Sequence, residues 1–457
     1  MTESPVEKVP DTAEGNKSQS LLSRVLKGSA LSLGGHIVSQ VIRLGSNLIL
    51  SRLLFPEAFG LMAIVYTFIS GLHMFSDTGT NANIIQSKRG DDRVFLNTAW
   101  TVDCIRGVIL WVCACLISQP VANFYNEPQL AYLLPITALS TLFNGFNSNK
   151  LVLANRNLEL TRLILIDLIV QVLGIVVIIA SALAIRFAGL PRDVAVWALV
   201  AGNLAGSISY LILSFTFIKG ENDRFQLDRE CLHELFQFGR WIFLSTLLTF
   251  FAYQGNNLVI PRLLGVGFFG IYSFAFNLSQ FSSSIVSMLG GRVLFPSFAE
   301  LYRDRPERVY SALRRSRIVL NAVNWAVSLI FIIFGQRLIG IMYDERYADA
   351  GWMLQLLALG SLVSMLEGTY SNALLAQGKT YFMTLMMVFQ MIFQFGGLFL
   401  GYYLGNEFGL VLGVALAGWA LYPIQAIFYA KLSLWQPEVD LPIYAMALIV
   451  AGFVLIP

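Results

Sequence analysis

The chain has 457 residues, of which 56% are hydrophobic and only 13% charged, with a formal net charge of +3. An average soluble domain carries about 25% charged residues, so this composition excludes a water-soluble globular protein. The small net charge gives no electrostatic footprint for nucleic acid. Three scattered histidines (His36, His73, His233) and four cysteines (Cys104, Cys113, Cys115, Cys231) form neither a metal-ligand spacing nor a disulfide framework.

Residues 1–20 are polar, contain Pro5, Pro10 and Gly15, and lack the apolar core and cleavage site of a signal peptide. A disordered tail is expected there. Leu21 to Lys27 mixes Leu and Val with Arg24 and Lys27, which suits a short interfacial helix. Apolar runs then follow at 29–52, 57–76, 96–118, 131–150, 160–185 and 194–218. A second group lies at 237–260, 267–290, 318–336, 350–374, 380–403 and 407–430, and a thirteenth run at 441–457 is of marginal length. A hydrocarbon core about 30 Å thick needs about 20 apolar residues per helical crossing, and these runs meet that length. The expected fold is an all-α integral membrane protein with two six-helix bundles around a central cavity. Its parts are a cytoplasmic tail and interfacial helix (1–27), a first bundle (28–218), a charged cytoplasmic linker (219–236), a second bundle (237–431) and an additional apolar segment (432–457).

Lys and Arg in alternate connections set the orientation. One set, from the tail through the linker and the basic segment ending at Arg317 and on to Lys379 and Lys431, holds 23 basic residues; the other holds six. This bias places the N-terminus in the cytoplasm.

The chain also matches itself at an offset of 210 residues. Gly45-Ser-Asn-Leu-Ile-Leu-Ser-Arg52-Leu-Leu stands opposite Gly255-Asn-Asn-Leu-Val-Ile-Pro-Arg262-Leu-Leu, and Phe59-Gly60 opposite Phe269-Gly270. Tyr125-Asn-Glu127 corresponds loosely to Tyr343-Asp-Glu345. An even number of crossings separates the copies, so both halves share one orientation. Such parallel repeats belong to transporters whose two bundles rock about a central site.

Polar residues line one face of several crossings. The first carries His36, Gln40, Arg43 and Asn47; the fourth Thr137, Thr141, Asn144 and Ser148. The seventh offers Thr246, Thr249, Tyr253 and Asn256 with Asn257 beside them, the eighth Ser273, Asn277, Gln280, Ser284 and Ser287, and the tenth Ser361, Ser364, Glu367 and Ser371. Such groups are costly against lipid, so they face other helices or water. The stripes suggest a hydrated cavity for a polar, extended substrate, lined by His36, Gln40, Arg43, Asn47, Asn144, Tyr253, Asn257, Asn277 and Gln280.

Five ionisable residues lie within apolar runs, Arg43, Asp103, Arg106, Asp167 and Glu367. Each costs about 2.5–3.5 kcal/mol at mid-bilayer on insertion scales, which makes each a functional candidate. Asp103 and Arg106, three apart, either pair with one another or serve as ligands. Asp167 and Glu367 are available for charge coupling or as partners for Arg43. Unpaired, Arg43 presents a guanidinium suited to a carboxylate or phosphate.

The run Ser51-Arg-Leu-Leu-Phe-Pro56-Glu-Ala-Phe59-Gly60, then Phe75-Ser-Asp77-Thr-Gly79, Ile84-Ile-Gln86 and Asn97-Thr98-Ala99-Trp100, resembles the bacterial oligosaccharide flippases. These are the polysaccharide transporters of the multidrug/oligosaccharidyl-lipid/polysaccharide flippase superfamily. Phe295-Pro296 and the basic segment to Arg317 fit the same pattern. The resemblance implies an inner-membrane flippase that moves an undecaprenyl-pyrophosphate-linked oligosaccharide from the cytoplasmic to the periplasmic leaflet. Arg43 is the residue to which the pyrophosphate-binding role transfers best. No cofactor is expected, H+ or Na+ coupling is left open, and the resemblance further implies partnership with polysaccharide polymerase and chain-length machinery. Two features depart from the family pattern: the polar Thr80-Asn-Ala-Asn83 after Gly79, and a chain that stops within its thirteenth apolar run.

The rival of nearest kind is a cation-coupled multidrug antiporter, for which Asp167 and Glu367 would be the ion site. A membrane glycan polymerase or ligase is a more distant rival. It would need a positioned base, metal or carboxylate pair, usually in a sizeable extramembrane loop; the outward connections are short, with 123–129 and 335–349 among the longest.

Overall fold

The computed structural model describes residues 12–455, except 78, 88, 158, 282, 285–293, 295–297, 299–300, 302–305 and 378–379. Side chains are described outside 12–30, 32, 82, 86, 234, 236–245, 306, 369, 376 and 380. Ser287, Phe295-Pro296 and residues 1–11 of the tail lie outside the described residues, as do the basic residues Lys88, Arg292, Arg303, Arg305 and Lys379.

Fourteen helices carry the description, α1 (Thr12–Leu53), α2 (Pro56–Phe75), α3 (Thr80–Gln86), α4 (Arg93–Tyr125), α5 (Leu130–Thr137), α6 (Leu139–Gly145) and α7 (Lys150–Arg156) leading. They continue with α8 (Leu160–Phe187), α9 (Val196–Thr216), α10 (Arg229–Ser279), α11 (Val309–Met342), α12 (Ala350–Ala376), α13 (Thr380–Lys431) and α14 (Pro437–Leu455). No strand occurs among the described residues. Nine helices among them are long and apolar enough to cross a membrane. The chain is a multi-pass, all-α membrane protein.

Two of those helices each run through a pair of expected crossings. Gly265, at φ 82° and ψ 166°, breaks α10 where the 237–260 and 267–290 runs meet. Such a φ is open to glycine and strained for other residues. Gly405 and Asn406 break α13 between the 380–403 and 407–430 runs. Its halves fold back on one another: a Cβ added at Gly401 would lie 2.1 Å from the Gly409 carbonyl oxygen, and one at Gly413 would lie 2.0 Å from that of Gly397. A hairpin of touching backbones forms because these four positions carry no side chain.

Several expectations need correction. The expected crossing 131–150 is not one helix; it breaks at Ala138 and ends at Gly145, beyond which Ser148 and Asn149 bond to Ser214, Asp223 and the Leu96 carbonyl. The tail region 21–27 is no separate helix, because α1 is continuous from Thr12. The linker is extended only to Asp228, whose side chain accepts from the Glu230 and Cys231 amides and starts α10 at Arg229. Cys231 is therefore a buried helix residue rather than part of a charged loop. The stretch after Gly79 forms α3.

Arg317 is also not a loop cation. It lies inside α11 with no solvent exposure and pairs with Asp440 of α14. Tyr370 (α12) and Tyr422 (α13) donate to the same carboxylate at 2.8 and 2.5 Å, and the guanidinium stacks 3.7 Å from the Tyr370 ring centroid. Its charge is neutralised in place, which makes the burial tolerable. This cluster fastens α14 to α11, α12 and α13.

The extended linker is held along the start of α4. Asn97 Oδ1 accepts from the Arg224 amide, Thr101 Oγ1 from that of Gln226 and Thr98 Oγ1 from that of Asp228, at 3.0–3.1 Å. The far end of α4 reaches the opposite end of the bundle, where the Tyr125 hydroxyl donates to the Leu258 carbonyl at 2.8 Å.

Candidate functional site

A polar cavity of about 430 Å3 sits within the first half of the chain. Backbone proximity sets one wall: Gly107 of α4 and Gly145 of α6 are so close that a Cβ on Gly145 would lie 2.6 Å from the Asp103 carbonyl oxygen. The Thr141 hydroxyl lies 3.5 Å from the Gly107 carbonyl in the same seam. Asp103, one helical turn before Gly107 on α4, and Arg106, next to it, both line the cavity.

Arg106 is fixed from three directions. Its Nε donates to Ser76 Oγ at 3.0 Å, its Nη1 lies 3.5 Å from Asp103 Oδ1, and its Nη2 lies 3.5 Å from His73 Nδ1. The Asp103–Arg106 pair thus forms as the three-residue spacing allows, yet both side chains also line the cavity. Asp167 of α8 and Tyr210 of α9 reach the same space. The remaining polar wall is rich in asparagine, with Asn81, Asn144, Asn147, Asn149 and Asn155 all contributing. Ser148 and Asn149 join this wall to the linker, since Asp223 Oδ2 accepts from Ser148 Oγ at 2.6 Å and from the Asn149 amide at 3.1 Å.

A second cavity of about 420 Å3 lies between α8 and α9 and shares Asn144 and Tyr210 with the first. A guanidinium, an imidazole and carboxamides in one wall present donors and acceptors to hydroxyls and anionic oxygens together. Among the described residues, no group of three His, Cys, Asp or Glu is placed to hold a metal ion.

Of the residues singled out in the sequence, Asn144, Asp103, Arg106 and Asp167 converge here. The stripe on α1 does not line this cavity. There Gln40 Nε2 lies 3.4 Å from His36 Nε2, Asn47 is half-buried, and Arg43 is exposed with no ion-pair partner among the described residues. Ser39, one turn before Arg43 on α1, donates to Gln171 of α8 at 2.7 Å. Tyr253 and Asn277 are exposed on α10 and Gln280 just past its end, and the half-buried Asn257 donates to Gln254 at 2.7 Å. Glu367 lies beside Gln425, apart from the cavity. Ser361, in the same stripe, serves packing: its hydroxyl lies 2.8 Å from that of Ser328.

Sequence reasoning missed His73, Asn147, Asn149 and Tyr210. The run Asn144-Gly-Phe-Asn147-Ser-Asn149 was a usable signal, since three asparagines in six residues at the end of an apolar helix mark both a break and a polar surface.

This architecture is that of a polytopic, all-α membrane protein. It is similar to a multidrug resistance MATE family transporter of the MOP superfamily in an inward-facing conformation, with a TM-score of 0.68 at 14% identity over 91% of this chain and 96% of that one. It is equally similar to the lipid II flippase MurJ in an inward closed conformation, with a TM-score of 0.67 at 12% identity over 92% and 91% of the two chains. Residues 49–351 match the family model described as polysaccharide biosynthesis protein, and the chain belongs to that family. Its relatives include the lipopolysaccharide biosynthesis protein WzxC of Escherichia coli (strain K12), 21% identical over 79% of this chain and 71% of that protein. The succinoglycan biosynthesis transport protein ExoT of Rhizobium meliloti (strain 1021) is 25% identical over 68% of this chain and 61% of that protein.

Proposed function

We propose that this chain is a flippase that carries an undecaprenyl-pyrophosphate-linked oligosaccharide from the cytoplasmic to the periplasmic leaflet of the bacterial inner membrane, with its N-terminus in the cytoplasm. The observation that carries this reading is the asparagine-lined cavity with Arg106 and His73 in its wall, in a chain of a polysaccharide biosynthesis family. Carboxamides match sugar hydroxyls as both donors and acceptors, and Arg106 suits an acidic sugar or a phosphate. We assign the exposed Arg43 on α1 as a second cationic contact, for the pyrophosphate. Translocation then needs no bond made or broken, only alternating exposure of the cavity.

Asp103 and Asp167 share the cavity wall with the cation and are the candidates for H+ or Na+ coupling. Glu367 in the other half is a third. Polysaccharide polymerase and chain-length machinery are the expected partners on the receiving side. The membrane is the route for the lipid tail, which stays in the bilayer while the sugar crosses through protein.

The test is a deletion strain assayed for surface polysaccharide and for the leaflet that holds the lipid-linked precursor. Loss of polymer with intact precursor retained on the cytoplasmic leaflet is expected. Unchanged polysaccharide with new drug sensitivity would overturn the reading in favour of a multidrug antiporter.

A further inference from the structure

The 210-residue repeat becomes a physical contact in the fold. Gly60 on α2 and Gly270 on α10 are repeat-mates, and so are Pro56 and Val266. A Cβ built on Gly60 would lie 2.1 Å from the Val266 carbonyl oxygen. A Cβ built on Gly270 would lie 1.9 Å from the Pro56 carbonyl oxygen. Each glycine therefore abuts the repeat-mate of the residue that abuts the other. Contacts that exchange in this way are the mark of a two-fold arrangement, here between two segments of one chain.

Other contacts, not themselves repeat-mates, join the two halves nearby: the Tyr125 hydroxyl donates to the Leu258 carbonyl at 2.8 Å and that of Tyr347 to the Leu54 carbonyl at 3.1 Å. The Phe59 and Phe274 rings meet edge to face at 4.7 Å. The Phe55 ring lies 4.5 Å from the guanidinium carbons of both Arg192 and Arg346, and Arg346 Nη2 also donates to the Ser51 carbonyl at 3.1 Å. All of this lies at the end of the bundle opposite the linker.

We propose that these repeat-related Phe-Gly steps form the outward gate of the transport cycle, a two-fold seal that closes only because neither Gly60 nor Gly270 carries a side chain. The assignment rests on the flippase reading and topology proposed above. At both contacts the opposing atom is backbone, which has no rotamer to escape into. Cβ atoms essentially never approach another atom closer than 3.0 Å. An alanine at either position must then hold the segments about 1 Å apart. That penalty exists only in the sealed state, so it shifts the population toward the outward-open one. Gly340 of α11, whose Cβ would meet nothing within 4 Å, is the matching control.

The seal is read with a disulfide reporter, Glu57→Cys with Gly267→Cys, because a Cβ on Gly267 lies 3.7 Å from Glu57 Cγ. In the otherwise unaltered protein, oxidation is expected to crosslink this pair and stop polysaccharide export, and a membrane-impermeant reductant added from outside restores it. Adding Gly60→Ala or Gly270→Ala is expected to cut the crosslinking yield by about tenfold, while Gly340→Ala leaves it unchanged. Continued export by the crosslinked protein would overturn the gate. A wild-type crosslinking yield in both alanine variants would overturn the role of the glycines. If an alanine variant fails to insert, the crosslink-and-reduce arm still decides. Crosslinking is measured on protein whatever its cargo, so a deletion strain with normal polysaccharide would remove the flippase reading and leave the seal itself intact.

Discussion

Replacing Asp440 with Asn should unseat α14 without disturbing the rest of the fold. Asp440 and Arg317 are both fully buried, and the carboxylate accepts from Arg317, Tyr370 and Tyr422 at once. The amide is nearly the same size, so no cavity opens. Its oxygen still accepts from the tyrosines, but Arg317 loses the carboxylate charge of Asp440 that faces it. Removing one partner of a buried pair costs about 3–5 kcal/mol, most of it the uncompensated charge. Arg317 retains Gln436 at 3.4 Å and the Tyr370 hydroxyl and ring, which puts the expected loss near the lower figure. The penalty falls on docking of α14, because Asp440 is in that helix. Limited trypsin digestion after Lys431 reads it directly: the fragment beginning at Leu432 should be released much faster than from the wild type, with a lower melting temperature in detergent. Arg317→Met with Asp440→Leu should recover part of the loss, giving a favourable coupling in a double-mutant cycle. An Asp440→Asn protein as stable and as trypsin-resistant as the wild type would refute the reasoning, since it would mean that the pair holds nothing.

Arg43→Ala is expected to insert and melt like the wild type but to lose polysaccharide export, while Arg43→Lys keeps part of it if charge alone suffices. Normal export by the alanine variant would remove Arg43 from the site. Gly145→Ala should cost about 1–3 kcal/mol by overpacking the α4–α6 seam, where the new methyl would sit 2.6 Å from the Asp103 carbonyl; an unchanged melting temperature would refute that contact. Asp223→Ala removes the acceptor for Ser148 and the Asn149 amide, with a charge-assisted hydrogen bond worth about 1.5–3 kcal/mol. Faster tryptic cleavage at Arg224 is the expected result, and an unchanged rate would show that the linker is held by α4 alone.

The motif Asn97-Thr98-Ala99-Trp100 shows how a resemblance and its physical meaning come apart. Its residues were recognisable as a family mark, yet their work emerges only from contacts: Asn97 and Thr98 bind linker amides, and Trp100 packs on Phe225 with centroids 4.7 Å apart. The α1 stripe is the converse. Its four-three-four spacing placed His36, Gln40, Arg43 and Asn47 on one helix face, but spacing on one helix does not say which neighbour that face meets.

By itself the sequence determined the class of protein, the position of most crossings and the place where α10 and α13 turn back. Those are local properties, because a bilayer imposes a fixed apolar length on each helix and glycine marks the breaks. The offset of 210 residues was likewise legible as a pattern. Only the tertiary structure decided that Arg317 is neutralised by Asp440, 123 positions away, rather than lying free in a basic loop. It alone brought His73, Arg106, Asn147 and Tyr210 to one cavity, and it alone set Gly60 on Val266 and Gly270 on Pro56. These pairings depend on how helices pack side by side, and in a membrane that is governed by close backbone approach and polar satisfaction between segments far apart in the chain.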